Sequence, residues 1–275
     1  MMHERLNPLQ ARLMDLIRPF EGNIDFFGGH IRRMTHKQFN RYQPEIDHGN
    51  QRQIQFNNMT EGNEIPNIDV LAYYISPHVS QADWGIYFLE TGINWLTSYF
   101  ENRINNDPNG EVFMTMPGAQ KTPQEIHRDL INVSKKILLR HELGHYAIDY
   151  SLTRCDTINS NDYHQFRAEM QAQEIKFDES ICNANVARKK LKISNRLPGE
   201  PKVGFNLDLI PFCNEFMDSQ PLAYRGYRQF MTTSYSETCV NALNSIVGVD
   251  FNTTDFNEAV KDKSTMNVPL YVVST

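Results

Sequence analysis

The feature that most constrains the fold is an apolar stripe at helical spacing that begins at a capping signal and runs into LLRHELGHYAIDYS. The stretch TPQE at 122–125 is typical of a helix N-terminus, with Thr122 as the N-cap and Glu125 reaching back to it. Apolar side chains then recur every three or four residues up to about Tyr150. The pattern predicts a helix of roughly 28 residues. Because most globular helices are shorter, a break near 134 is an alternative.

The end of this helix carries HELGH, in which two histidines are four positions apart. Residues at that spacing lie one above the other on a helix, so His141 and His145 project from the same face and can reach one zinc ion. Glu142 projects beside them, near enough to take a proton from a water molecule that zinc makes more acidic. Gly144 would let a neighbouring element approach closely. The motif predicts a metal site with a base, and the alternative is that both histidines are ordinary surface or core residues.

The rest of the chain predicts strands first and then mostly helices, which favours an α+β fold. Strand-like runs occupy 68–76, 84–90, 111–117 and, at the end, 268–274. Helical periodicity occupies 5–18, 93–104, 163–190, 208–218 and 220–245. We divide the chain into an N-terminal helix and polar loop region (1–67), a lobe with the sheet and the HExxH helix (68–152), and a mostly helical lobe (153–275). Together they are expected to form one compact unit.

Composition limits the classes of function. The chain has 275 residues and a formal net charge of −6, so no overall basic field draws it to nucleic acid, and the basic segment 28–41 is interpreted as a solvated face. The absence of a long apolar run predicts no membrane insertion. The N-terminus lacks the apolar core of a signal peptide and the four cysteines form no CxxC pair. We therefore expect a cytoplasmic protein, or one exported without a signal peptide, such as an effector delivered into another cell.

In HELGH the chain resembles the HExxH zinc metallopeptidases, the zincins. Metzincins continue the motif to HExxHxxGxxH, but here Ile148 and Ser151 stand at the glycine and third-histidine positions. The resemblance is therefore to the gluzincins. It implies a zincin-like α+β fold, with a small mixed sheet and the HExxH helix in the N-terminal lobe. It also implies one zinc ion per chain.

Gluzincins take the third zinc ligand, a glutamate, from a later helix. An aspartate four residues further on often accepts a hydrogen bond from a ligand histidine and fixes its tautomer. The predicted helix 163–190 offers Glu174 with Asp178 at this spacing, and Glu169 in a second, similar pattern. Because Glu174 has the second acid, it is preferred as the ligand, with Glu169 as the alternate and Asp178 as its supporting residue.

The activity that the resemblance implies is hydrolysis of a peptide bond in a protein or peptide substrate. Zinc held by the two histidines and a glutamate would activate water, with Glu142 as general base. Zincins often stabilise the oxyanion with a side chain of the later lobe, and AYRGYRQF at 223–230 offers Tyr224 and Tyr227 as candidates. The alternative function is a zinc-binding regulatory or interaction module without hydrolytic activity.

Overall fold

The computed structural model describes residues 31–35, 65–76, 84–107, 122–154, 177–188, 191–194, 206–232, 237–242, 268 and 270–274. They form an α+β protein, as the sequence predicts. The strands are β1 (Ile31–Thr35), β2 (Ala72–Ile75), β3 (Gly85–Leu89), β4 (Lys192–Ser194), β5 (Asn206–Asp208) and β6 (Leu270–Ser274). The α-helices are α1 (Glu90–Asn106), α2 (Pro123–Arg154), α3 (Phe177–Ala187) and α4 (Ile210–Ser219), and 3₁₀ helices span Ile68–Val70 and Leu222–Phe230.

The larger sheet is mixed, with strand order β1, β6, β3, β2. Strand β6 runs parallel to β1 and β3, whereas β2 is antiparallel to β3. Strand β3 is buried along its whole length, as expected of an inner strand that is covered on both faces. Because β1 comes from the first of the three sequence regions, β2 and β3 from the second and β6 from the last, one sheet joins all three regions.

The two faces of this sheet carry different side chains. On one face Tyr73, Tyr87 and Tyr271 stand opposite one another in register and stack, with ring centroids 5.2 and 4.5 Å apart. On the other face Ile86 and Phe88 join the main core, which also contains the apolar stripes of α1 and α2. The sheet thus supports the two long helices from one side.

Helix α2 begins where the capping signal predicts. The backbone N–H of Thr122 donates to Glu125 Oε2 (2.8 Å), and the N–H of Glu125 donates to Thr122 Oγ1 (3.3 Å). The helix then runs for 32 residues without the break that was considered near 134. At that position Ser134 is buried against α1 and accepts a hydrogen bond from Thr97 (3.1 Å). Packing along α1 therefore supports the helix through the point of expected weakness.

Other expected elements differ in their bounds. The expected strand 68–76 begins with the 3₁₀ turn Ile68–Val70, and only Ala72–Ile75 is a strand. Of the expected helix 220–245, residues 237–242 are helical, but its beginning is wrong, because Gln220 is extended ahead of Pro221 and a 3₁₀ helix follows. In that 3₁₀ helix the buried side chains recur every three residues, which matches its three residues per turn. They are Tyr224, Tyr227 and Phe230.

The remaining predictions have mixed outcomes. The helix expected at 93–104 is α1, the helix expected at 208–218 is α4, and the terminal strand is β6. Strand β1 lies in the basic segment, where no strand was expected. The expected helix 5–18 and strand 111–117 lie outside the described residues, as does the first part of the expected helix 163–190. In the described part of the chain, no helix combines the length and apolar character needed to cross a bilayer.

Candidate metal centre

The site is built where α2 and α3 lie against each other. A Cβ atom at Gly144 would lie 2.6 Å from Sγ and 2.8 Å from Cα of Cys182, so only glycine allows this approach. The close approach expected at Gly144 is therefore confirmed, and α3 is the element that uses it. It brings Glu179, near the N-terminal end of α3, to the two histidines of HELGH.

The two histidines converge on one carboxylate oxygen. Nε2 of His141 lies 3.2 Å and Nε2 of His145 lies 3.5 Å from Oε2 of Glu179. All three side chains are buried, and the charge of Glu142, itself 1 % exposed, acts on both imidazoles. HELGH and α3 thus supply two imidazole nitrogens and one carboxylate that face a common point.

A second carboxylate approaches from the 3₁₀ turn that precedes β2. Oδ1 of Asp69 lies 3.1 Å from Nε2 of His141, and Oδ2 accepts a hydrogen bond from the Tyr224 hydroxyl (2.9 Å). The donor atoms of His141, His145, Glu179 and Asp69 all lie within 4.8 Å of one another. Four side chains from three separate parts of the chain therefore form one cluster, which we call the His–carboxylate cluster.

Asn183 fixes the orientation of His141. Its Nδ2 donates to the Tyr224 carbonyl oxygen (3.1 Å), which turns its Oδ1 towards Nδ1 of His141 (3.0 Å). An amide oxygen only accepts, so Nδ1 must carry a proton. In the neutral imidazole this leaves the Nε2 lone pair directed at the carboxylates, as a metal ligand requires.

Without a metal, the imidazoles and carboxylates of the cluster shift one another's pKa values. Burial alone would lower the pKa of His141, but hydrogen bonds with Asp69 and Glu179 outweigh it and raise that pKa well above its usual value. The pKa of His145 is also raised, because the charge of Glu179 overcomes burial. Burial would raise the pKa of Glu179, yet the charge of His145 and the hydrogen bonds with both histidines hold it well below its usual value. A buried set of cations and anions of this kind is what a metal ion can replace.

The donor set fits zinc. A tetrahedral zinc ion bonded at roughly 2.0–2.1 Å holds neighbouring ligand atoms roughly 3.3–3.4 Å apart. The distances from Nε2 of His141 to Glu179 and to Asp69 are 3.2 and 3.1 Å, and that from His145 to Glu179 is 3.5 Å. These three of the six donor–donor separations are close to the edges of such a tetrahedron, and imidazole with carboxylate is a ligand combination that zinc accepts.

Cys182 forms a second group with the same two histidines. Burial raises the pKa of its thiol well above the usual value, and the neighbouring charge of Glu179 raises it further. A thiol binds zinc only as the thiolate, and burial opposes loss of that proton, whereas the pKa of Glu179 is held well below its usual value by the two histidines. Glu179 is therefore the better third donor.

The predicted site residues are placed as follows. His141, His145 and Glu142 lie together, and Tyr224 reaches the cluster through Asp69. Glu174 and Glu169, the expected third ligands, lie outside the described residues. Asp178 is buried and its Oδ1 accepts the backbone N–H of Glu179 (3.0 Å). The Tyr227 hydroxyl donates to Asp218 (3.0 Å), on the α4 side of the 3₁₀ helix.

Sequence reasoning missed Glu179, Asn183 and Asp69. The sequence could have indicated the first two, because Glu179 and Asn183 have the same four-residue spacing as Glu174 and Asp178. The sequence did not indicate Asp69, because a single aspartate at the start of an expected strand forms no distinguishing pattern.

Comparison of the chain with protein-family models, curated proteins and solved structures gave no match.

Proposed function

We propose that the protein is a zinc-dependent endopeptidase of the gluzincin type, with zinc held by His141, His145 and Glu179. The observation that carries the proposal is the convergence of both Nε2 atoms of HELGH on the Glu179 carboxylate. Helix α2 would be the active-site helix of a zincin-like fold. Its partner α3, in the C-terminal lobe, would supply the third ligand.

The surroundings of Glu179 support the gluzincin assignment. Asn183 stands four residues after Glu179 and accepts a hydrogen bond from Nδ1 of His141. Gluzincins often have an aspartate in that position, so the resemblance holds with asparagine in its place. Asp178 adds a hydrogen bond to the backbone of Glu179. Glu174 and Glu169 then remain weaker candidates for the third ligand.

Zinc bound at this site would polarise the scissile carbonyl and make a water molecule acidic enough to attack it near neutral pH. The Glu142 carboxylate takes one proton from the attacking water and passes it to the leaving amine nitrogen. Asn183 keeps His141 in the tautomer that leaves its Nε2 lone pair available. Tyr224 is the better candidate for oxyanion stabilisation, because its hydroxyl reaches Asp69 in the cluster whereas that of Tyr227 donates to Asp218.

A second candidate function is a zinc-binding regulatory or interaction module without hydrolytic activity. Two observations favour it. Asp69 gives the cluster a fourth protein donor, and structural zinc sites close their shell with protein groups. In addition, His141 is 0 % exposed and Glu142 is 1 % exposed, which leaves little surface for a substrate in this conformation.

Substitution of the base separates these functions. Zinc-loaded wild-type protein, Glu142→Gln and the control Glu237→Gln, at an exposed position, are each incubated with a peptide library made by digesting a cell proteome. We expect new peptide termini with the wild type and the control. With Glu142→Gln the rate should fall by at least about 100-fold while the zinc content is unchanged. Equal cleavage by Glu142→Gln would contradict the role of Glu142. No cleavage by the zinc-loaded wild type, and none by zinc-loaded Asp69→Asn, in which the fourth donor is weakened, would favour the module.

A further inference from the structure

We propose that Asp69 is a fourth protein ligand that closes the metal site in the resting protein, and that Tyr224 is the positioning residue that holds it there. The inference concerns the regulation of the proposed zinc site and rests on that site binding a metal. It does not depend on which reaction the site performs.

The carboxylate of Asp69 divides its two oxygens between the cluster and Tyr224. Oδ1 lies 3.1 Å from Nε2 of His141, close to the edge length of a zinc tetrahedron, and Oδ2 accepts the Tyr224 hydroxyl at 2.9 Å. Oδ1 is thus held at the distance expected of a metal ligand, while Oδ2 is held by the Tyr224 hydroxyl. This is how supporting hydrogen bonds orient carboxylate ligands of metals.

The turn that carries Asp69 is itself fixed by a buried side chain. Oε1 of Gln220 accepts the backbone N–H of Ile68 (2.9 Å), and its Nε2 donates to the carbonyl oxygen of Pro66 (3.2 Å). Gln220 is fully buried, so these bonds are shielded from competition by water. The position of Asp69 is therefore determined by the backbone on which it sits as well as by Tyr224.

The same segment supplies both supports. Gln220 ends α4 and Tyr224 lies in the 3₁₀ helix Leu222–Phe230 that follows. Gln220 thus acts on the backbone beside Asp69, and Tyr224 acts on its Oδ2. With Asp69 bound, His141, His145 and Glu179 would complete a four-coordinate shell, and water or substrate could enter only when Asp69 leaves or the shell expands to five ligands. The geometry therefore describes a site that Asp69 closes while Gln220 and Tyr224 hold its turn and its carboxylate in place.

Cobalt(II) tests this directly, because its visible absorption depends on the number and type of ligands at a site that normally binds zinc. We would load the wild type, Asp69→Asn and Tyr224→Phe with cobalt alone and then titrate each with acetohydroxamate, a small chelating ligand that needs open coordination positions. Asp218→Asn is the matched control. It also removes a carboxylate that accepts a tyrosine hydroxyl of the same 3₁₀ helix, in this case Tyr227 at 3.0 Å.

We expect Asp69→Asn to change the cobalt spectrum and to bind acetohydroxamate at least about tenfold more tightly than the wild type does. It should also lower the affinity for cobalt by about 10- to 100-fold. Tyr224→Phe, which retains the carboxylate, should show the same changes to a smaller extent, and Asp218→Asn should match the wild type. If Asp69→Asn does not fold, the shift of Tyr224→Phe relative to Asp218→Asn decides the question.

Two results would overturn the inference, and they differ in what they say about the proposed function. Identical spectra and hydroxamate affinities in the wild type, Asp69→Asn and Tyr224→Phe would reject Asp69 as a ligand and leave the zinc site of His141, His145 and Glu179 intact. Failure of the folded wild-type protein to take up cobalt would reject the metal site itself.

Discussion

Replacing Gly144 by alanine has two opposite effects on the free energy of unfolding. In a helix interior this change usually stabilises by about 1 kcal/mol. Here the new Cβ would lie 2.6 Å from Sγ, 2.8 Å from Cα and 3.0 Å from Cβ of Cys182. Because Cα belongs to the backbone, rotation of the cysteine side chain cannot relieve the overlap, and α3 must shift. Overpacking of this kind costs about 1–3 kcal/mol, and α3 is buried from Asp178 to Ala187, so we expect the upper part of that range.

The net expectation is a loss of about 1–2 kcal/mol in the free energy of unfolding, or a fall of about 2–8 °C in the melting temperature. Thermal unfolding followed by circular dichroism in the presence of a chelator measures it. Gln124→Ala, at an exposed position in the first turn of the same helix, is the control and should change stability by less than about 0.5 kcal/mol. Zinc affinity should fall as well, because a shift of α3 moves Glu179 away from the histidines. A Gly144→Ala protein that is more stable than the wild type and binds zinc equally well would refute the proposed packing of α2 on α3.

Two further predictions concern the imidazoles. Asn183→Ala should weaken zinc binding by about 10- to 100-fold in a competition assay with a chromophoric chelator. Asn183→Asp should restore the affinity, because a carboxylate oxygen can also accept the hydrogen bond from Nδ1 of His141. Equal zinc affinity in the wild type and both variants would show that Asn183 does not orient His141 for the metal. In the metal-free protein the pKa values of His141 and His145 are raised, so their charged forms stabilise the folded state. This stabilisation is fully present below about pH 6.5 and is lost as the pH rises through the pKa values of the two histidines in the folded protein. The melting temperature of the metal-free protein should therefore fall above about pH 6.5, while its zinc affinity rises over the same pH range. Calorimetry in two buffers should detect the protons that the histidines release on zinc binding. A zinc affinity that does not change with pH would contradict this prediction.

Local signals predicted the helices that begin at clear caps or keep one apolar face. Helix α2 starts at the TPQE box because Thr122 and Glu125 satisfy each other's backbone N–H groups, an interaction contained within four residues. The buried positions of α1 keep a helical spacing, which marks its core-facing side. HELGH itself fixes the relative placement of His141 and His145 because both lie on this one helix.

The third ligand could not be chosen in the same way. The preference for Glu174 over Glu169 depends on the acid that follows Glu174 four residues later. In α3 every residue from Asp178 to Ala187 is buried, so the side that faces the histidines has no distinct apolar signature. Glu179 faces His141 because Gly144 admits α3, which is a tertiary effect.

Asp69 and β1 depend on the tertiary structure in a similar way. The turn that carries Asp69 is held by contacts between distant residues: Gln220 bonds to Ile68, 152 residues away, and Tyr224 bonds to Asp69, 155 residues away. Strand β1 pairs in parallel with β6 at the other end of the chain, and its sequence IRRMT lacks the alternation that marks a strand. Such contacts join distant segments and leave no periodic trace in either one.

Whether HELGH holds a metal ion is decided by the metal content of purified, tag-free protein, measured by elemental mass spectrometry after exposure to zinc and removal of excess metal. The wild type is compared with His145→Ala and with His127→Ala, which alters an exposed histidine on the same helix that is paired with Glu101. We expect about one zinc ion per chain in the wild type and in His127→Ala, and a large loss in His145→Ala. A folded wild-type protein that retains no zinc, or a His145→Ala protein that retains as much as the wild type, would contradict it.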